Sequence, residues 1–339
     1  MGPPSSPPRW RGRAASLAPA ACLAALLAAA PALAAAAPAD PPDPSRQPRV
    51  LTPEEYLRKA DELIADDHFD ASATAHFKVK TDDPRFVPKA AADFLESFRE
   101  AFDSFWTGRI ELKPYEGVSR IYLFYSRFKY KQLLPEAEEG LESIGHYREG
   151  YDTVALHTDS VGLPYLPDLL VHEAAHQLVS KRLYEGSYGP SLWVGEGLAS
   201  YFGFMERTLK GDFAAGSIGG KNVWLFKPPA RQAKGLGGEV LGRYVASLRR
   251  KEALPVERVM EIRDQAEFYG GDKAADHYAA SWLLVHFLLH GRDGALAEPF
   301  ARYLRHEIET GGDVDDFYRI LGMEPAALQS AFEAYVRRL

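Results

Sequence analysis

The run LLVHEAAHQLV, residues 169–179, places His172, Glu173 and His176, with Gln177 next to the last, inside an otherwise apolar helical pattern. Leu166, Pro167 and Asp168 make a helix opening. Leu169, His172, Glu173, His176 and Val179 then recur at helical spacing on one side, while Leu170, Ala174 and Leu178 line another. A helix that is apolar around most of its circumference is expected to be buried nearly all round. Burying each polar group without a partner costs roughly a few kcal/mol, so the surrounding fold has to satisfy all three. Residues four apart on a helix stand one turn above each other, and His172 and His176 can therefore aim ring nitrogens at one point, at the roughly 2 Å that zinc takes. Glu173 lies beside them, able to serve a water at that point without ligating. A pattern of three specified positions also arises by chance in core helices, and the rest of the chain has to decide between the two.

A structural zinc site uses four protein ligands, a catalytic one three with an open position. The segment SLWVGEGLASYFGFM reads as a second helix, with Glu196 twenty residues after His176. Gly186, Gly189 and Pro190 let the intervening chain turn back. Gly195 and Gly197 flank the glutamate and permit close helix approach. Trp193, Leu198, Tyr201 and Phe202 would bury Glu196, and a carboxylate buried without a partner is costly. The expected metal set is His172, His176 and Glu196, holding one Zn2+.

The chain of 339 residues, 46% hydrophobic and 12% aromatic, can supply a sizeable core, and its formal charge of −7 offers no basic field for a nucleic-acid backbone. Residues 1–34 carry Arg9, Arg11 and Arg13 ahead of an uncharged Ala/Leu run, with small residues at Ala32 and Ala34. That is the build of a secretory signal peptide; the alternative is a retained anchor, which Pro19, Pro31 and the excess of Ala over Leu disfavour. Cleavage near Ala34 removes those three arginines, taking the charge from −7 to −10, and removes Cys22, the sole cysteine. The expected product is exported, to periplasm, cell envelope or medium, without disulfides or stable membrane insertion. Residues 35–50 are a proline-rich linker.

From Leu51 the chain reads as α+β. Thr52 and Pro53 open a helix with Leu57 and Leu63 on an apolar stripe, HFKVK alternates as a strand, and AAADFLESFREAFDSFW is a strongly apolar helix. SRIYLFYS and TVALHT read as further strands. A mixed subdomain is expected over 51–160, and a mainly helical zinc-site subdomain over 161–339, with the motif helix at their junction.

His172-Glu173-x-x-His176 followed by WVGEGLASYF resembles the gluzincin metallopeptidases, and more narrowly the peptidase-MA-like and DUF1570-type bacterial proteins, over residues 70 to 335 with only the two motif helices specific. The resemblance implies a zincin-like fold and hydrolysis of peptide bonds by zinc-activated water, with Glu173 as general base. It implies an oxyanion donor from a later segment. Tyr278 in DHYAASW is the first choice, although its helical stripe with Trp282, Val285 and Leu289 also fits a core residue; His277 and Tyr188 are further candidates. His286 and His290 read as packed or surface histidines. Where thermolysin-like enzymes brace a zinc histidine with an aspartate four residues after the ligand glutamate, this chain has Ser200, which brings no charge. The strand TVALHT occupies the place of the cleft-edge strand, against which a peptide or protein substrate would pair; the alternative is an ordinary paired strand. Two other functions stay open: a weakly active or inactive peptidase-fold binding protein, and a structural envelope protein without metal. Nothing in the sequence speaks to oligomeric state.

Overall fold

Alternation along three strands gives the central sheet two dissimilar faces. The structure is a computed structural model and describes residues 51–64, 72–134, 144–159, 165–207, 212–219 and 235–339. The expected signal peptide, Cys22 and the linker lie outside them. The first helix, α1 (Pro53–Leu63), starts where expected: Thr52 accepts from the backbone N–H of Glu55, and the Glu55 carboxylate accepts from that of Thr52. Its buried stripe is Tyr56 and Ala60, continued by Ile64 just past its end, with the expected Leu57 and Leu63 only flanking it.

Strands β1 (Ser72–Ala73) and β2 (Phe77–Thr81), helix α2 (Pro88–Trp106), strand β3 (Ser119–Phe124), helix α3 (Arg127–Lys131) and strands β4 (Gly145–Arg148) and β5 (Thr153–His157) follow. They build a mixed sheet of order β1-β2-β3-β5-β4, in which β2, β3 and β5 run parallel and the outermost strands antiparallel. Phe77, Val79, Ile121, Leu123, Val154, Leu156 and Tyr147 belong to the main core with α2. Tyr122, Phe124 and Ala155 belong to a smaller cluster with α1 and Tyr130 of α3. The two-residue period sends successive side chains to opposite faces, which is why one sheet feeds two cores.

TVALHT forms β5, but β5 does not border a cleft. It lies between β3 and β4 and is buried along its length. The chain enters β5 through a tight reversal at Glu149–Tyr151, with Asp152 left-handed at φ 45, and that hairpin puts GHYR of β4 outermost instead. Four residues beginning with glycine carry little strand signal of their own, and pairing with β5 supplies it.

Helices dominate after residue 165, among the described residues: α4 (Leu166–Leu178), α5 (Leu192–Gly203), α6 (Gly237–Arg250), α7 (Val256–Glu261), α8 (Gln265–Tyr269), α9 (Ala274–His290), α10 (Ala297–Thr310), α11 (Val314–Leu321) and α12 (Pro325–Val336), interrupted by a short ribbon of β6 (Glu206–Arg207) and β7 (Phe213–Ala214). The architecture is α+β. The main apolar cluster includes residues from Phe77 in the sheet to Val336 in the last helix. No described helix is long and apolar enough to cross a membrane.

One buried ion pair ties the motif helix to the rest. Asp168, in the first turn of α4, receives Arg207 Nη1 at 2.7 Å and the backbone N–H of Leu236 at 2.6 Å. Arg207 also donates to the Gly203 carbonyl that ends α5 and lies over the rings of Phe94 and Phe213. Burial pushes Asp168 up to about 6, against the opposing charge of Arg207, so the pair is ionic at neutral pH. Arg207→Ala strands the carboxylate and is expected to lower unfolding stability by about 3–5 kcal/mol. Replacing both partners, as Asp168→Asn with Arg207→Met, should recover much of that in a urea titration. A loss for Arg207→Ala below about 1 kcal/mol, within the range of an exposed pair, would contradict this account.

Candidate metal centre

The motif helix α4 is buried on nearly all sides, as its composition requires; His176, its side chain 18% exposed, is its one residue that is not fully buried. Helix α5 crosses it closely. A Cβ on Gly203 would stand 3.2 Å from Cβ of His172, so the last turn of α5 rests on the backbone beside the first histidine. On its other side α5 meets α9, where a Cβ on Gly197 would come within 2.7 Å of both the Ser281 carbonyl and a Val285 methyl. Close approach therefore depends on Gly197, whereas Gly195 faces Pro190 at ordinary contact distance.

This packing brings the three expected ligands together. Nε2 of His172 and Nε2 of His176 are 3.1 Å apart, and Oε2 of Glu196 lies 3.3 and 3.4 Å from them. Three donors held at about 2.0–2.1 Å from one ion at tetrahedral angles stand roughly 3.3–3.4 Å from each other, so the triangle has the dimensions of one face of such a shell. His172, His176 and Glu196 are the cluster able to hold a metal ion among the described residues. Oε2 of Glu196 is buried against the two histidine nitrogens, and Oε2 of Glu173 is buried with no hydrogen-bond partner. A cation between the histidines would compensate the buried Glu196 oxygen that faces them, and two imidazoles with a carboxylate suit several divalent transition metals.

The electrostatics follow from burial and mutual contact. Burial would raise the Glu196 carboxyl, but the charges and hydrogen bonds of His176 and His172 outweigh it and hold the group well below the usual carboxylate range. Burial lowers His172, helped by its like-charged neighbour His176. His176 is raised, because Glu196 and Glu173 together overcome its burial. Glu173 is pushed up to about 8, first by burial and then by the Glu196 charge, with His176 and a backbone hydrogen bond from Tyr147 of β4 opposing. Oε1 of Glu173 also lies 3.1 Å from where a Cβ on Gly145 would be, so β4 walls the site on the Glu173 side.

Around this cluster the other expected residues divide. Ser200 approaches Nδ1 of His172 at 3.4 Å, a long contact that keeps Nε2 turned toward Glu196. Tyr278 is buried with its ring 6.3 Å from that of His172, beside the cluster. His277 is engaged elsewhere: Nδ1 donates to the Phe268 carbonyl at 2.8 Å. Tyr188, 62% exposed, lines a surface cleft with Lys113, Ile308 and Glu309 and packs on Gly311. His286 bonds the Gly216 carbonyl and the Tyr335 hydroxyl, and His290 bonds Tyr201, so both are packed histidines.

Tyr269 is the residue that sequence reasoning did not single out. Its hydroxyl donates to Oε1 of Glu196 at 2.8 Å in a buried contact. A five-residue helix before Gly270-Gly271 has no periodicity to advertise it, and the sole local signal is an aromatic residue next to a glycine pair. No family model matches the chain, and no curated protein matches it.

Gly197→Ala is expected to push α5 off α9 and destabilise the protein by about 1–3 kcal/mol, as overpacked cores do. Gly195→Ala, by contrast, should stay close to wild type in the same thermal melt. Equal effects for the two would mean that the helix crossing does not rest on Gly197.

Proposed function

We propose that the chain is an exported zinc metallopeptidase of gluzincin type, hydrolysing peptide bonds with Glu173 as general base. The observation that carries this reading is the triangle of His172, His176 and Glu196 donors with a buried carboxylate beside it that is not one of the ligands. Three ligands and a neighbouring non-ligating base are the composition of a catalytic centre; a structural one has four ligands. Export rests on the arginine-led Ala/Leu run and the small residues at Ala32 and Ala34.

In this proposal His172 and His176 bind through Nε2 and Glu196 through Oε2. Zinc, when bound there, supplies a Lewis acid for a peptide carbonyl and lowers the pKa of a water toward neutrality. The positive charge of an ion held at the triangle would favour the ionised form of Glu173, which then takes a proton from the attacking water at Oε2 while the water oxygen forms the new C–O bond. Glu173 then returns that proton to the amine nitrogen as the C–N bond breaks, so it ends in its starting state. Tyr278, buried next to His172, donates to the carbonyl oxygen as charge develops on it. The β4 edge is a poor rail for substrate pairing, because its residues are buried and the Tyr147 N–H is already taken by Glu173.

One observation favours the alternative of a weakly active or inactive binding protein on the same fold: His172 is braced by a neutral serine at 3.4 Å, which enhances its basicity less than a carboxylate does. Turnover decides between the two.

Purified protein is expected to carry about one zinc per chain, following the three-ligand rule, and His176→Ala to lose it in elemental analysis. Zinc-free protein after reconstitution would sink the metallopeptidase reading. Glu173→Gln should retain metal and fold while peptide-library hydrolysis falls by on the order of a hundredfold to ten-thousandfold. Tyr278→Phe should lower kcat by roughly a hundredfold to a thousandfold with KM little changed; an unchanged kcat would return Tyr278 to the core.

A further inference from the structure

We infer that Tyr269 is a positioning residue that restricts Glu196 to ligation through a single oxygen and so keeps one position of the metal centre open. The inference rests on the metal-binding reading proposed above. A carboxylate with both oxygens unengaged can close onto an ion in bidentate fashion, filling the position that water or substrate needs. Here the two oxygens are treated differently. Oε2 faces both histidine nitrogens, at 3.3 and 3.4 Å, while Oε1 accepts the Tyr269 hydroxyl at 2.8 Å. The hydrogen bond draws charge onto Oε1 and fixes the plane of the carboxylate, so that only Oε2 is presented to the histidines. Partners of this kind orient ligands and tune the metal they bind.

The tyrosine is itself held from several sides. Its ring packs against Phe268, with centroids 5.2 Å apart, and against Tyr278 at 6.0 Å. Asp264 caps the N-terminus of α8 by accepting from the Glu267 N–H at 2.9 Å. The Phe268 carbonyl is anchored by His277 at 2.8 Å, so the backbone immediately before Tyr269 is tied to the first turn of α9. At the other end a Cβ on Gly270 would fall 2.3 Å from the Ala266 carbonyl, and Gly271 turns the chain away at φ +71. The hydroxyl is delivered to Glu196 by a short helix clamped at both ends, and His277 acts through that clamp.

The test compares the full chain, wild type and Tyr269→Phe, each loaded with cobalt(II) in place of zinc. Phenylalanine keeps the ring contacts and removes only the hydroxyl. The expected result is a weaker visible cobalt band of higher-coordinate type in the variant. Chelator competition should also show metal affinity altered by about 10- to 100-fold, the range for removing such a partner. The melting transition of the metal-free variant should stay near that of wild type. A variant spectrum and affinity within twofold of a wild type that binds one cobalt per chain overturns this inference and leaves the metal centre standing. A wild type that binds no cobalt or zinc overturns both. A metal-free variant that fails to fold assigns the hydroxyl a purely structural role and also overturns the inference.

Discussion

Two imidazoles and two carboxylates are buried together where α4, α5 and α9 meet, and the cost of doing so governs much of the surrounding design. Each group taken singly would be unfavourable by roughly a few kcal/mol in such a setting. They are tolerable as a set, because Glu196 lies against both histidines and each histidine keeps a hydrogen-bonding or charged neighbour. The helices that carry them can be apolar elsewhere for the same reason. Leu169, Leu170, Val171, Ala174, Ala175 and Leu178 of α4 have no polar task and fill the core.

Holding the ligand atoms of His172, His176 and Glu196 within 3.4 Å of one another requires close placement of two helices, and the structure does this with contacts remote from the cluster. Arg207 and Asp168 join the start of α4 to the end of α5. Glu307 of α10, itself buried, accepts the hydroxyls of Tyr184 and Tyr303 and the backbone N–H of Ser191, which pins the chain between the motif helix and α5. That connecting chain begins with a π-helical turn at Val179–Tyr184, a wider turn than the α-helix it continues. Gly197 and Gly203 remove the side chains that would keep α5 at ordinary distance from α9 and α4. Tyr269 then acts on one ligand oxygen directly.

Much of the site was legible because its signals are local. The i, i+4 spacing of His172 and His176 specifies a common direction in any α-helix, and an all-round apolar run specifies burial, so the motif helix and its three polar groups could be read without tertiary knowledge. Glu196 was legible from its apolar neighbours and its flanking glycines, although Gly197 proved to matter for α9 and Gly195 for very little. The strands at 77–81, 119–124 and 153–157 followed from alternation. Leu57 and Leu63 do pack against the smaller cluster, but the residues of α1 that the sheet buries fully are Tyr56 and Ala60.

Residue spacing alone determined which side chains share a helix face, where the N-terminal cap of α1 falls and that the chain is α+β, because these depend on backbone geometry within a few residues. Only the tertiary structure decided that β4, not β5, is outermost, that Arg207 answers Asp168 across 39 positions of sequence, and that Tyr269 reaches Glu196 across 73. Strand order, ion pairing and the second hydrogen bond on a ligand carboxylate are set by which surfaces pack together. A four-residue strand or a five-residue helix has too little periodicity of its own to announce such a partner in advance.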